Sequence, residues 1–172
     1  MRKILLLFSL LLPSLIVAQE QPANAVAPAY QPVREYDGKR DAAKDIADAI
    51  AEAGRTHKRI LLEVGGKWCS WCAIMDRFFD ANPALTTLCD KNFIVVKINV
   101  GPDNENKEVM SRYPQVAAYP YIFVLEQDGK VLKLQRTGEF ESGSSYDLNR
   151  WTSFLNKWAT ISKCPKLEEC AV

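Results

Sequence analysis

The chain has 172 residues, 48% hydrophobic, 10% aromatic and 25% charged, which is enough apolar material to bury a core of ordinary size. That balance excludes intrinsic disorder and collagen-like repetition for the bulk of the chain. Lys and Arg number 22 against 21 Asp and Glu, and the resulting net charge of +1 removes the electrostatic case for a nucleic-acid or polyanion partner.

Arg2 and Lys3 open the chain, Ile4 to Leu12 is an almost unbroken apolar run, and Pro13 and Ser14 interrupt it before Leu15 to Ala18. This is the layout of a secretory signal peptide, residues 1–18. A membrane span needs about 20 apolar residues, and this run is shorter and broken. Cleavage after Ala18 would remove two basic residues and no acidic one, leaving 20 against 21. The expected product is a monomeric periplasmic or secreted protein with no stable membrane span. Residues 19–35, rich in Ala, Pro and Gln and punctuated by Pro22, Pro28 and Pro32, read as a flexible tether. A single domain is expected over 36–162, with a cysteine-bearing tail at 163–172.

From Asp41, apolar residues recur at helical spacing through Ile46, Ala49, Ile50 and Ala53, with Gly54 as the expected stop. Arg59 to Val64 is a short apolar run closed by Gly65-Gly66, which suits a buried strand. A second helix opens at Cys69, breaks at Asn82-Pro83 and resumes from Ala84 to Asp90. Phe93 to Val100 is the strongest strand, β-branched at most positions. After a polar loop with solvated acids at Asp103 and Glu105, Lys107 to Tyr113 fits a short helix. Tyr121 to Leu125 and Val131 to Leu134 flank the turn Asp128-Gly129 as an antiparallel hairpin. A last helix starting near Ser145 carries Trp151, Phe154, Leu155, Trp158 and Ile161 on one stripe. The order predicts an α/β fold: parallel strands joined by helical crossovers, then an antiparallel edge hairpin, with helices on both faces.

The chemistry is sought at strand ends. In Trp68-Cys69-Ser70-Trp71-Cys72 the first cysteine falls at a helix amino terminus, where free backbone N–H groups and the helix dipole favour an anion such as a thiolate. Two intervening residues let Cys69 and Cys72 close a disulfide across one helical turn.

Four features in order make the chain resemble the thioredoxin family over Ala42 to Ala159: this Trp-Cys-x-x-Cys centre after a strand, Glu63 six residues before the first cysteine, Tyr119-Pro120 just before a strand, and the closing hairpin and amphipathic helix. The resemblance implies a thioredoxin fold with a central mixed sheet. It implies Cys69 as attacking nucleophile, Cys72 as resolving cysteine and Glu63 as the group that takes or gives the proton of Cys72. A cis Pro120 would free the Tyr119 backbone to pair with an extended client, and Trp68 and Trp71 would supply apolar surface around the sulfurs. The implied activity is thiol-disulfide exchange on protein disulfides, reduction being slightly favoured. Its partners would be protein thiols or disulfides and a further redox protein, with no cofactor beyond the Cys69–Cys72 disulfide and no metal.

Each assignment has a plainer counterpart. The pair could be a static disulfide or half of a zinc site, Glu63 an exposed strand-end carboxylate, Pro120 an ordinary trans proline, and the tryptophans packing residues. A non-catalytic thioredoxin-like binding module, serving as chaperone or in metal delivery, is the alternative for the whole protein. Ser70-Trp71 between the cysteines does not set a redox direction, and Ala117-Ala118 stands where relatives often have glycine. Cys89 reads as a small buried hydrophobe. Cys164 and Cys170, in an exported chain, read as a local disulfide pinning the tail, the alternative being a second redox pair. A first strand before the opening helix is not evident unless Val33 to Tyr36 supplies it.

Overall fold

The computed structural model describes residues 29–159, so segment 1–18, most of the expected tether and the Cys164/Cys170 tail lie outside the described residues. Four strands form the sheet: β1 (Arg59–Gly65), β2 (Phe93–Asn99), β3 (Tyr121–Leu125) and β4 (Val131–Arg136), in the order β2-β1-β3-β4. β1 runs parallel to β2 and antiparallel to β3, and β3 pairs antiparallel with β4, so the sheet is mixed with one parallel pair.

Strand alternation divides the side chains between two layers. Ile60, Leu62 and Val64 of β1, with Ile94, Val96 and Ile98 of β2, face α1 (Ala42–Thr56), whose Ile46, Ala49 and Ala53 complete that core. Leu61, Phe93, Ile122 and Val124 face the other way, against α2 (Ser70–Asp80), α3 (Pro83–Asn92) and α5 (Leu148–Trp158). Met75, Leu85, Cys89, Trp151, Phe154 and Leu155 fill that layer. Glu63 and Lys97 share its parity and stand directly opposite each other in the parallel register, so two charges enter an apolar face at the same level. Among the described residues, no helix is long and apolar enough to cross a membrane.

Several boundaries differ from the expectation. α1 runs through Gly54, which faces open space, and stops at His57, whose left-handed backbone (φ 57°) turns its N–H onto Ala53 O. The fourth helix, α4, covers only Lys107–Met110. α5 starts at Leu148 because Ser145–Tyr146 pairs with Glu141–Ser142 in a small two-stranded ribbon after a 3-10 turn, and Asp147 then caps the helix by accepting from Arg150 N at 2.9 Å. Ile161 lies outside the described residues. The first strand is reduced to one bridge: Val33, placed by sequence in the tether, pairs parallel with Val96, accepts from Lys97 N through its carbonyl and is buried in the core on the α1 side. The loop of Asp103 and Asn104 is tied rather than merely solvated, since Asn99 Nδ2 donates to Asp103 Oδ1 and Asn104 Nδ2 to Gly38 O.

Candidate active site

At the carboxyl end of β1 the chain turns through Gly66 and Lys67, and Cys69 N closes that turn on Gly66 O at 3.0 Å. Cys69 keeps extended backbone angles and becomes the N-cap of α2. Its Sγ accepts the backbone N–H of Cys72 at 3.1 Å, so the sulfur takes the position that a capping carboxylate or hydroxyl normally fills. A thiolate there meets an aimed donor and the positive end of the helix dipole. Cys69 and Cys72 are joined in a disulfide with Cα atoms 5.2 Å apart, and Cys72, the deeper of the two, is 1% exposed.

Tyr36 and the two cysteines form a small buried cluster, against which Trp71 and Tyr119 pack. The Tyr119–Pro120 peptide bond is cis, Pro120 is itself buried, and its carbonyl accepts from Thr137 Oγ1 at 2.7 Å. Pro120 therefore shapes the loop without offering side-chain surface. Trp68 is the large apolar group that stands out, 54% exposed, with its indole N–H donating to Val100 O at 2.8 Å and its ring edge-on to Tyr119 at 5.4 Å. Gly66 and Gly101 make the slot for it: a Cβ on either would lie 2.4 Å or 2.8 Å from Trp68 Nε1. Trp71 is half-buried, edge-on to Tyr146 at 5.4 Å, so packing takes much of the surface expected to meet a client.

Glu63 is not an exposed strand-end carboxylate. It is 7% exposed, accepts a hydrogen bond from Tyr36 Oη, and lies 3.7 Å from Lys97 Nζ. Lys97 also donates to Asp76 on α2, and its Nζ sits 5.0 Å from the centre of the Tyr36 ring. Burial raises the Glu63 pKa above its ordinary 4.5, outweighing the opposing pull of Lys97 and of the Tyr36 hydrogen bond. A cleft of about 350 Å³ between α2, α3 and the sheet reaches this carboxylate, with Asp76 and Lys97 on its wall and the Arg34–Asp90 ion pair also lining it. Cys89 lies at the same cleft as a buried thiol pushed up to about 12 by desolvation, and is therefore unreactive.

The structure thus brings Cys69, Cys72, Trp68, Trp71, Tyr119 and Pro120 together at one end of the sheet, with Glu63 buried behind them. Sequence reasoning missed Tyr36, Lys97 and Asp76. Lys97 carried a signal, a lone charge inside the apolar run Phe93 to Val100, whereas nothing local marks Tyr36. Among the described residues, no group of three or more His, Cys, Asp or Glu could hold a metal ion. The joined Cys69 and Cys72 make this a dithiol–disulfide centre.

A protein-family model described as thioredoxin-like matches residues 41–126. Among solved structures, the chain is similar to the disulphide isomerase from Xylella fastidiosa Temecula1, at 33% identity over 71% of this chain and 94% of that one, with a TM-score of 0.60. It also resembles in fold the C-terminal domain of DsbD from Neisseria meningitidis in the oxidised form, at 18% identity over 68% of this chain and 95% of that one, with a TM-score of 0.51. No curated protein matches it.

Proposed function

Since the chain belongs to the thioredoxin-like family, we propose that it is a thiol-disulfide oxidoreductase that reduces disulfides of exported proteins. The observation that carries this reading is the Cys69 sulfur seated as the cap of α2, with the N–H of Cys72 aimed at it. In the reduced protein the Cys69 thiolate attacks one sulfur of a client disulfide, the client S–S bond breaks, and the other client sulfur leaves as a thiolate. Cys72, deprotonated with Glu63 as the acceptor, then attacks Cys69 Sγ. The second client sulfur leaves, the Cys69–Cys72 disulfide forms, and two electrons have passed from the pair to the client. A partner dithiol protein restores the reduced pair.

Trp68 and the Tyr119 backbone are the client-facing groups in this reading, and a closed Cys164–Cys170 bridge in the tail is part of it. The name of the 33% identical relative favours a second reading, disulfide shuffling, in which the Cys69 adduct is resolved by another client thiol. The test is a mutant pair. Cys69→Ser should abolish insulin reduction, and Cys72→Ser should accumulate clients as mixed disulfides on Cys69. Full activity in Cys69→Ser would instead support a non-catalytic binding module. The equilibrium of the Cys69/Cys72 pair with glutathione separates donor from acceptor: a reductase should hold the pair largely oxidised in a buffer where an oxidase would hold it reduced.

A further inference from the structure

We propose that the hydroxyl of Tyr36 relays the proton between the Cys72 thiol and the Glu63 carboxylate, an inference that rests on the oxidoreductase reading and adds the proton's route to it. Tyr36 comes from the segment before α1, is buried, and donates to Glu63 Oε1. It also packs in one cluster with both cysteines. Gly65 shows that the phenol oxygen and the Cys72 sulfur lie beside the same backbone position. A Cβ there would lie 2.5 Å from Cys72 Sγ and 2.8 Å from Tyr36 Oη, and the third nearest atom is Cζ of the same tyrosine. Sulfur and phenol oxygen therefore both pack against the bare Cα of Gly65, in the place a side chain would otherwise take, which keeps them near neighbours. No atom of Glu63 is among the three nearest to that place.

A phenol suits this place because its oxygen accepts one hydrogen bond while its O–H donates another. Burial and the neighbouring Glu63 hold Tyr36 well above its ordinary pKa of 10, so it stays neutral and passes protons without storing charge. The other groups facing it are Lys97 from β2, Asp76 from α2 and Tyr146 from the ribbon before α5. In the resolving step the proton of Cys72 Sγ moves to Tyr36 Oη as the phenol's own proton moves to Glu63 Oε1. The electron pair left on Cys72 forms the bond to Cys69 Sγ, the bond between Cys69 and the client breaks, and its electron pair leaves on the client sulfur. Tyr36 ends unchanged, and Glu63 holds one proton, which it returns to water through the cleft.

Tyr36→Phe removes the hydroxyl and keeps the ring. Reduced protein is mixed with glutathione disulfide, and the Cys69–glutathione adduct is followed by acid-quenched mass spectrometry. The variant should form the adduct at the unmutated rate but resolve it about tenfold more slowly at pH 7, a modest share of what a positioned acid–base group supplies. The deficit should shrink as pH rises towards the ordinary thiol range, where Cys72 ionises unaided, and Tyr36→Phe combined with Glu63→Gln should be no slower than Glu63→Gln alone. An unchanged adduct lifetime at pH 7, or a slowing equal at every pH, overturns the relay alone. Failure of glutathione disulfide to oxidise the unmutated pair, together with no adduct on Cys69 in Cys72→Ser, overturns the oxidoreductase reading and the relay with it. Independently of any variant, the Tyr36 ¹³Cζ resonance should move when dithiothreitol opens the disulfide and a thiol begins to donate to Oη, and a resonance that does not move overturns the proposal.

Discussion

Glu63 occupies a strand position whose neighbours in sequence, Leu62 and Val64, are both core residues. Its charge is tolerated because three separate segments supply Tyr36, Lys97 and, through Lys97, Asp76. The raised pKa has a consequence for stability. Between 4.5 and its higher folded value the native state holds a proton that the unfolded chain has lost, so stability falls as pH rises through that window and the deficit is fully present above it. Glu63→Gln removes this dependence. Its urea midpoint should gain on that of the unmutated protein from pH 4 towards pH 8; parallel curves would show that the carboxyl is not perturbed. The same substitution should slow turnover at neutral pH more than it weakens client binding, which single-turnover kinetics against a binding titration would separate.

At the scale of elements, the interiors were legible and the ends less so. The apolar runs of β1, β2 and β3 and the stripes of α1 and α5 are local periodicities that survive into the fold because each buries one face or both. Ends depend on competing contacts. Gly54 stays helical because Ala53 is buried beside it and His57 closes the turn, while the start of α5 is delayed by the pairing of Ser145–Tyr146 with Glu141–Ser142. Asp147 holds that delayed start, accepting from Arg150 N while its own N–H donates to Phe140 O. Asp147→Ala should cost about 1 kcal/mol, seen as a lower urea midpoint with an unchanged slope. A loss near zero would mean that packing alone fixes the start of α5.

Across the whole molecule, Trp151 joins the second layer together. It is 1% exposed, with ring centres 5.0 Å from Phe79 of α2 and 4.7 Å from Phe140 of the 3-10 turn, and it also meets Tyr146 and Phe154. Trp151→Ala should cost about 3–5 kcal/mol in denaturant unfolding, since a buried aromatic leaves a cavity that its neighbours fill only in part. Trp151→Phe should cost well under that, because it keeps most of the packing and discards an indole N–H with no hydrogen-bond partner among the described residues. Equal losses would place the effect elsewhere. Sequence by itself determined the α/β class, the helix and strand interiors and the Cys69–Cys72 pair at a helix start, because periodicity, capping and a two-residue spacing are local properties of the chain. Only the tertiary structure decided that β1 lies inside the sheet with Glu63 opposite Lys97, that Pro120 is buried while Trp68 stays out, and that Tyr36 reaches Glu63 and packs against Gly65 beside Cys72. Strand register and layer packing determine which distant side chains share one water-poor volume, and no local pattern encodes that meeting.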